Sequence, residues 1–285
     1  MQTGAKHFHR EWPETETFSQ SPWQRCCLPA ITAVVLAGAL SICPAATITY
    51  DTAPYWSTVS GVLGGMGPGQ SSTLAETFVT PAGPGVILND FSFYAESYYP
   101  LNGGIANLHL RAFVYSWSGN LVGHGGGAAG NPLYLGPSFV FRPPPRPNGW
   151  VPLTANISGG GLTLAPGQPY VMGFTLSNPT DYSASTGDIE FQFVPARNSN
   201  YSPPPIPASV DFGSGGAVWL NNSNNFAALN SSVWSTWGDI GVMALTAHFT
   251  VVPELSSSWL CLGGAVLVLF RRPLRRVKTS LRKQT

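Results

Sequence analysis

Apolar and polar residues alternate with a period of two along much of the chain between residues 47 and 252. In segment 108–115 every second residue is aliphatic and the residues between are polar or aromatic, which predicts a strand buried on one face. Segment 188–193 alternates more strictly. Segment 242–249 places its apolar residues on one side: Met243, Leu245, Ala247 and Phe249. Further strands are predicted at 74–79, 86–94, 138–141, 170–176 and 217–220.

Turn-forming residues separate these predicted strands. Runs rich in Gly, Pro, Asn or Ser occur at 81–85, 102–104, 118–120 and 165–168, and such residues favour tight turns. Between the two end segments described below, no stretch spaces its apolar residues as three turns of helix require. Many short strands joined by turns predict an all-β domain over 47–252, an antiparallel β-sandwich or jelly-roll-like fold.

The N-terminal segment has the pattern of an export signal. An uncharged run of 13 residues covers 30–42, and basic residues precede it. A basic flank followed by a short apolar run is typical of a secretory signal peptide, whereas a membrane span needs about 20 apolar residues. The small residues Ala45 and Ala46 follow, where signal peptidase would cut. We therefore predict a signal peptide over 1–46, with an N-terminal signal helix, and export of the remainder.

The C-terminal segment combines a second apolar run with a basic tail. The uncharged run covers 16 residues, 255–270, and seven basic residues with no acidic residue follow it in 271–285. This length is short for a bilayer but workable when flanking arginines extend to the interface. The positive charge puts the tail in the cytoplasm and the preceding domain outside. The sequence thus predicts a transmembrane-like helix at 255–270 that attaches the domain to the membrane.

Residues 253–285 resemble the PEP-CTERM sorting signal of Gram-negative bacteria, which joins a short Pro-Glu-Pro motif, an apolar helix and an arginine-rich end. Pro253 and Glu254 match the first two motif positions, and serines follow at 256–258. Leu255 stands where the family has its second proline. The basic end matches through Arg271, Arg272, Arg275 and Arg276.

This resemblance implies that an exosortase recognises the C-terminal segment and removes it, in cells that also make an extracellular polysaccharide. The departure from the motif at Leu255 leaves two outcomes open. Either the tail is removed, or it stays as a single-span membrane anchor.

The middle region carries a second resemblance. Four stretches look like the sandwich domain that is common in PEP-CTERM proteins, within about residues 70–180: 76–82, 88–94, 111–119 and 162–171. The resemblance implies the fold and export, because the family has no agreed biochemical activity. Residues 181–252 lie outside it, and we expect them to complete the second sheet.

Charge and sulfur are unevenly distributed along the chain. Residues 47–252 contain four arginines, nine acidic residues and no lysine, which gives this region a formal charge of −5. A surface that binds nucleic acid needs clustered basic residues, so nucleic acid is not an expected partner. The four cysteines lie at positions 26, 27, 43 and 261, so no disulfide can join the strands of the domain.

Candidate metal ligands are sparse in the middle region. The histidines at 109, 124 and 248 do not have the spacing of a metal site. Oxygen-bearing side chains occur at alternate positions of 181–188, which leaves calcium open as an alternative to a plain polar hairpin connection. We expect no cofactor.

Candidate catalytic groups are equally sparse. Asp188 and Glu190 could form a pair of carboxyl groups, but the alternation predicts that both lie on a solvated strand face. The nucleophile motif Gly-x-Ser-x-Gly does not occur. We therefore expect no enzymatic activity.

Aromatic residues are the strongest ligand-binding candidates. Sugars stack on exposed aromatic rings of sandwich domains, and many aromatic residues here fall in or beside predicted loops: Trp56, Tyr98, Tyr99, Trp117, Trp150, Trp219, Trp234 and Trp237. The predicted stacking residues are Trp117, Trp150, Trp234 and Trp237. The alternative is that these tryptophans pack the core and its edges. Extracellular polysaccharide is the partner that stacking implies.

The two end segments and the sandwich predict an exported cell-surface or extracellular-matrix-associated structural protein, sorted by its C-terminal signal. Its expected partners are signal peptidase, an exosortase and the membrane before processing. Two alternatives stay open: a surface carbohydrate-binding module, and a protein held by a simple single-span anchor.

Overall fold

Strands account for most of the residues in the computed structural model, which describes residues 45–56, 62–83, 85–97, 105–121, 125–144, 149–157, 159–195, 215–237 and 241–252. These residues belong to one compact unit. The predicted signal peptide lies outside them except for Ala45 and Ala46, and the predicted sorting signal at 253–285 lies wholly outside. Within the described ranges, no helix has the length and apolar character needed to cross a bilayer.

Eight strands form one sheet, sheet A: β1 (Ala46–Asp51), β2 (Val62–Met66), β4 (Gly85–Ser97), β8 (Val151–Asn156), β9 (Leu162–Leu164), β11 (Ile189–Pro195), β14 (Gly241–Met243) and β15 (Leu245–Val252). The order is β1-β15-β4-β11-β14, with β8 and β9 also beside β4, and β2 beside β11. Every pairing is antiparallel. The 13 residues of β4 contact four other strands, so β4 is the central strand.

Seven strands form the other sheet, sheet B: β3 (Thr73–Val79), β5 (Leu108–Ser118), β6 (Gly127–Leu135), β7 (Phe139–Phe141), β10 (Pro169–Thr175), β12 (Ala217–Leu220) and β13 (Ser235–Thr236). The order is β13-β12-β3-β10-β5-β6, with β7 also beside β5. These pairings are antiparallel as well.

The two sheets pack face to face around one apolar core, to which alternate residues of each strand contribute. Aromatic rings meet across the interface. The ring centroids of Phe91 in β4 and Phe174 in β10 are 5.3 Å apart, and those of Phe78 in β3 and Phe249 in β15 are 5.9 Å apart. The predicted all-β fold of antiparallel strands is confirmed.

The structure has strands at all eight positions that the alternation predicts, although Ala244 divides segment 242–249 into β14 and β15. The pattern does not predict β1, β2, β6, β8, β9 or β13. β2 contains two adjacent glycines, and β6 contains Gly130 and Pro132. β9 and β13 have only three and two residues. Tertiary pairing forms these strands where the local sequence signal is weak.

A second apolar layer covers the outer face of sheet B. Phe113 and Tyr115 of β5 point into it and pack with Leu229 and Trp234 from the connection between β12 and β13. The prediction that segment 108–115 has one solvated face is therefore wrong for its second half. His109 and Arg111, in the first half, are partly exposed as expected.

Residues 178–252 correct two further expectations. Pro179–Ala184 form a short helix, α1, which the Asn178 side chain caps by accepting a hydrogen bond from the Thr180 N–H at 3.1 Å. Segment 181–188 is thus not a plain hairpin connection. The strands after α1 enter both sheets rather than the second alone: β11, β14 and β15 join sheet A, and β12 and β13 join sheet B. Two 3-10 helices cover Ala53–Tyr55 and Phe226–Asn230.

The first and last strands lie side by side. β1 and β15 pair antiparallel from Ala46 opposite Val251 to Asp51 opposite Thr246. At the other side of β15, Val252 lies opposite Gly85, the first residue of β4. Both ends of the described chain are therefore at one end of sheet A, beside the start of its longest strand.

Candidate functional site

Two of the four tryptophans predicted to stack on a ligand are core residues. Trp117 and Trp234 are 5% and 2% exposed, and their rings meet edge to face at 6.0 Å in the layer outside sheet B. Each indole N–H donates to a backbone carbonyl, that of Asn120 at 3.1 Å and that of Leu229 at 2.9 Å. Enclosed rings with satisfied N–H groups have no face for a sugar, so the predicted stacking role does not fit these two positions.

Trp237 pairs with Trp219 at the edge of the core. Their rings are stacked, with centroids 5.4 Å apart and an interplanar angle of 29°. Both are partly exposed. The backbone N–H of Trp237 donates to the Ala217 carbonyl at 2.8 Å, which fixes the residue beside β12. Because the two rings cover each other, they present less free aromatic surface than two separate rings.

Trp150 meets Trp56 edge to face, with ring centroids 5.7 Å apart and an interplanar angle of 64°. Trp56 ends the first 3-10 helix, where its N–H donates to the Ala53 carbonyl at 3.1 Å. Trp150 directly precedes β8, whose Val151 lies opposite Ala95 of β4. Both rings are partly exposed. Of the four predicted stacking residues, Trp150 is in the most open aromatic group.

This aromatic group packs against the outer face of sheet A. Tyr55, Trp56 and Tyr94 pack on a small apolar cluster on the outer face of the sheet. That cluster consists of Val194, Val242 and Ala244. We call Tyr55, Trp56, Tyr94 and Trp150 the aromatic corner. It is held by strand residues and a 3-10 turn, so its rings are preorganised rather than carried on a long loop.

Two glutamates lie beside the aromatic corner. Glu96 of β4 is directly opposite Glu190 of β11, and the register of β8 extends to put Trp150 beside Glu96 on the other side. Both glutamates are only 3% exposed. The prediction that Glu190 lies on a solvated face is therefore wrong. Alternation assigns a polar residue to the outer face, but cannot indicate that other parts of the chain cover that face.

Asp188 lies at the edge of this row, against the turn that follows β2. A Cβ atom on Gly67 would overlap its carboxylate, so only glycine allows this approach. Burial raises the pKa of Asp188, and a hydrogen bond from the Gly69 backbone partly offsets this effect. Its Oδ1 atom is enclosed without a hydrogen-bond partner. Asp188 and Glu190 thus have different surroundings and do not form a shared solvated pair.

The oxygen-bearing side chains of 181–188 have separate hydrogen-bond partners in the structure. The Asp181 carboxylate in α1 accepts hydrogen bonds from Arg111 Nε at 2.6 Å and Ser138 Oγ at 2.7 Å. Ser185 Oγ donates to the Asp181 backbone carbonyl at 2.7 Å. Asp188 is engaged elsewhere, as described above. In the described part of the chain, no group of three or more His, Cys, Asp or Glu side chains is arranged to hold a metal ion.

The two described histidines lie in different sheets. His248 Nδ1 lies 2.6 Å from Asp90 Oδ1 on the outer face of sheet A, and both side chains are partly exposed. His109 is on β5 in sheet B. His124 lies outside the described residues.

The sorting residues Pro253, Glu254, Leu255, Arg271, Arg272, Arg275 and Arg276 lie outside the described residues, as do Tyr98 and Tyr99. Sequence reasoning placed Trp56 in the wider aromatic set without selecting it, and it missed Tyr55 and Tyr94. The adjacent pair Tyr55-Trp56 directly after a short Thr-rich alternation is the signal that could have identified the corner. No protein-family model, curated protein or solved structure matches the chain.

Proposed function

We propose that this chain is an exported cell-surface or extracellular-matrix-associated structural protein, released from its signal peptide by signal peptidase and sorted by a PEP-CTERM-like C-terminal signal. The same proposal includes a jelly-roll-like sandwich, an N-terminal signal helix and a C-terminal transmembrane-like helix. The observation that supports it best is the position of the two chain ends. Ala46, at the predicted signal-cleavage point, lies opposite Val251, the second-last described residue before the predicted sorting signal, at one end of sheet A.

This arrangement suits a domain that is attached at one end and functions at the other. Gly85 is opposite Val252 at the attached end, and Glu96, beside the aromatic corner, follows eleven residues later on β4. At about 3.3 Å per strand residue, the two positions are about 36 Å apart. The aromatic corner thus lies towards the end of sheet A that is opposite the two ends of the described chain.

Processing is tested by producing the chain in a Gram-negative host that carries an exosortase. We expect the protein at the cell surface or in the medium, and we expect the variant Glu254→Ala to remain in the membrane fraction. Leu255→Pro restores the family motif and should be released at least as completely as the wild type. Ser257→Ala is the matched control and should behave as the wild type.

Two outcomes contradict the proposal in different ways. If the wild-type chain stays in the cytoplasm, the proposed export is wrong. If the chain reaches the surface and the Glu254→Ala and Leu255→Pro variants are released equally, the C-terminal segment does not act as a sorting signal. That result favours the single-span anchor.

The aromatic corner favours a second candidate function, that of a surface carbohydrate-binding module. Partly exposed, preorganised rings are the feature by which proteins stack sugars, and Trp56 and Trp150 supply two such rings at an angle. Binding of the mature protein to polysaccharides, including that of its own host, tests this function. Trp56→Ala and Trp150→Ala should each weaken binding about tenfold, which corresponds to about 1.4 kcal/mol. Val233→Ala, at an exposed position outside the corner, is the control. Failure to bind any polysaccharide would remove this candidate.

A further inference from the structure

The edges of the two sheets differ in how well they are protected against pairing with another chain. Natural proteins shorten edge strands or interrupt them with proline, bulges or charged residues. Among the described strands, β6 contains Pro132 and a left-handed Gly130 with φ 71°, and β8 contains Pro152. β2 contains two adjacent glycines. The remaining edge strands other than β1 have three residues or fewer: β7, β9, β13 and β14.

β1 has neither a proline nor a bulge, and its one charged residue, Asp51, is at the end of the strand. Its six residues, Ala-Thr-Ile-Thr-Tyr-Asp, include no proline, glycine or lysine. Its register with β15 is continuous from Ala46 to Asp51. In the described part of the chain, β15 is its single strand partner. The opposite edge of β1 is therefore a flat, regular row of backbone donors and acceptors.

The hydrogen-bond pattern shows which residues point outward. The Thr52 N–H donates to the Leu245 carbonyl at 2.9 Å, so position 52 faces β15. Hydrogen-bonding direction alternates along an antiparallel strand. The backbone groups of residues 50, 48 and 46 therefore also face β15, and those of Thr47, Thr49 and Asp51 face away from it.

We propose that β1 pairs antiparallel with β1 of a second copy across a two-fold axis at Thr49, which joins two eight-stranded sheets into one. In this register Thr49 is opposite Thr49 of the second copy, and Thr47 is opposite Asp51 of the second copy. All three outward-facing residues of each strand then find hydrogen-bond partners. Such an isologous contact is closed and gives a dimer rather than a fibre.

The side chains of β1 fit this register on both faces. On the core side, Ile48 would lie opposite Tyr50 of the second copy. Both already pack at the edge of the core, with the Tyr50 ring 5.3 Å from that of Phe249. An aromatic residue opposite a β-branched one is a favourable cross-strand pair. On the outer side, Asp51 is the only charged residue of the strand, and it would lie opposite a threonine, so no like charges meet.

The two-fold axis has a consequence for sorting, and this step rests on the proposed function. Antiparallel pairing reverses the direction of β15 in the second copy, so the two copies of Val252, the last described residue, lie at opposite ends of the joined sheet. Two copies anchored by their tails in one membrane could not both adopt this arrangement. The dimer would therefore form between copies whose tails are not held in one membrane: copies released from the tail, copies on two facing surfaces, or full-length copies dissolved in detergent.

The register is tested by cysteine cross-linking of the full chain in detergent, with Cys26, Cys27, Cys43 and Cys261 changed to serine. Hydrogen-bonded pairs in antiparallel sheets have Cα atoms about 5.5 Å apart, within the range that a disulfide spans. Under mild oxidation, Thr49→Cys should form a covalent dimer. Thr47→Cys alone and Asp51→Cys alone should not, but a mixture of these two proteins should cross-link.

A monomeric Thr49→Cys chain, or Thr47→Cys cross-linking as readily as Thr49→Cys, would overturn the proposal. Sedimentation of the cysteine-free chain gives an independent measurement. Thr49 is exposed, so substitutions there leave the core intact. Thr49→Lys puts two positive charges on the axis and should weaken dimerisation at least tenfold, whereas the control Thr49→Val should not weaken it. Equal dimerisation of both variants would also overturn the proposal. Failure of export or sorting in cells would not affect any of these results.

Discussion

Buried carboxyl groups are the main feature of this domain at the scale of single residues. Glu76 is fully buried between the sheets, where its Oε2 accepts a hydrogen bond from the Met243 N–H at 3.0 Å. It lies on the core side of β3, between Leu74 and Phe78. A strand pattern with a charged residue at an apolar position predicts an exposed or irregular site, so the sequence does not indicate this role.

We expect Glu76→Ala to lower the free energy of unfolding by about 3 kcal/mol, because it leaves the Met243 N–H without its carboxylate acceptor and opens a cavity between the sheets. Glu76→Gln keeps an acceptor and the volume, and should cost clearly less. Urea unfolding of the three proteins measures the difference. Equal stability of Glu76→Ala and the wild type would contradict this role for Glu76.

Asp188 gives the domain a specific pH dependence. Burial raises the pKa of Asp188 in the folded state above its ordinary value of 3.8. The folded chain therefore binds the carboxyl proton more tightly than the unfolded chain does. The protonated Asp188 carboxyl group therefore makes its full contribution to the free energy of unfolding below the unfolded pKa of 3.8. This contribution is lost as the pH rises through the folded pKa.

We expect Asp188→Asn to be more stable than the wild type at pH 7 and equally stable at pH 3, since the amide cannot ionise. The amide oxygen can still accept the hydrogen bond from Gly69. Urea unfolding at the two pH values measures this, and a stability difference of the same size at both would contradict the assignment.

Among the elements, helix α1 is linked to sheet B by the Asp181 carboxylate, and the His109 N–H of β5 donates to Ser185 Oγ at the end of the helix. Asp181 is buried and accepts hydrogen bonds from Arg111 of β5 and from Ser138, which directly precedes β7. Oxygen-bearing side chains at alternate positions of 181–188 are the reason that the sequence leaves a calcium site as an alternative. In the structure, the Asp181 carboxylate of this segment pairs with the Arg111 side chain.

We expect Asp181→Ala to lower the free energy of unfolding by about 2 kcal/mol, because it leaves Arg111 and Ser138 without their acceptor. Thr180→Ala, at an exposed position in the same helix, is the control and should change stability little. If both variants unfold at the same urea concentration, Asp181 does not fix the helix.

Strand prediction succeeds for the strands with strong alternation, but it misses the short alternating strands β1 and β8 and the strands that carry glycine or proline. β5 and β15 have strong alternation, and their core faces are those predicted. β2 and β6 carry glycine or proline, so their local sequence signal is weak, and pairing with β11 and β5 stabilises them. The candidate site is harder to predict for a related reason. Trp117 and Trp150 both lie near turns in the sequence, but only the second apolar layer outside sheet B decides that Trp117 is buried.

At the scale of the whole molecule, the two ends of sheet A carry different features. Both ends of the described chain lie at one end of sheet A, and the aromatic corner lies towards the other. No disulfide stabilises the sandwich between them, because residues 47–252 contain no cysteine. This arrangement suits a domain that is exported, attached or released at one end, and exposed at the other.

The central claim is that both end segments are processing signals, and mass spectrometry of the termini of the native protein tests it most directly. We expect the chain to begin at Ala46 or Thr47 and to lack the arginine-rich tail, so that its last residue lies close to Pro253. Recovery of an intact C-terminal end containing Arg282 and Lys283 would contradict sorting by removal of the tail, and an intact N-terminal segment before Ala45 would contradict cleavage of a signal peptide.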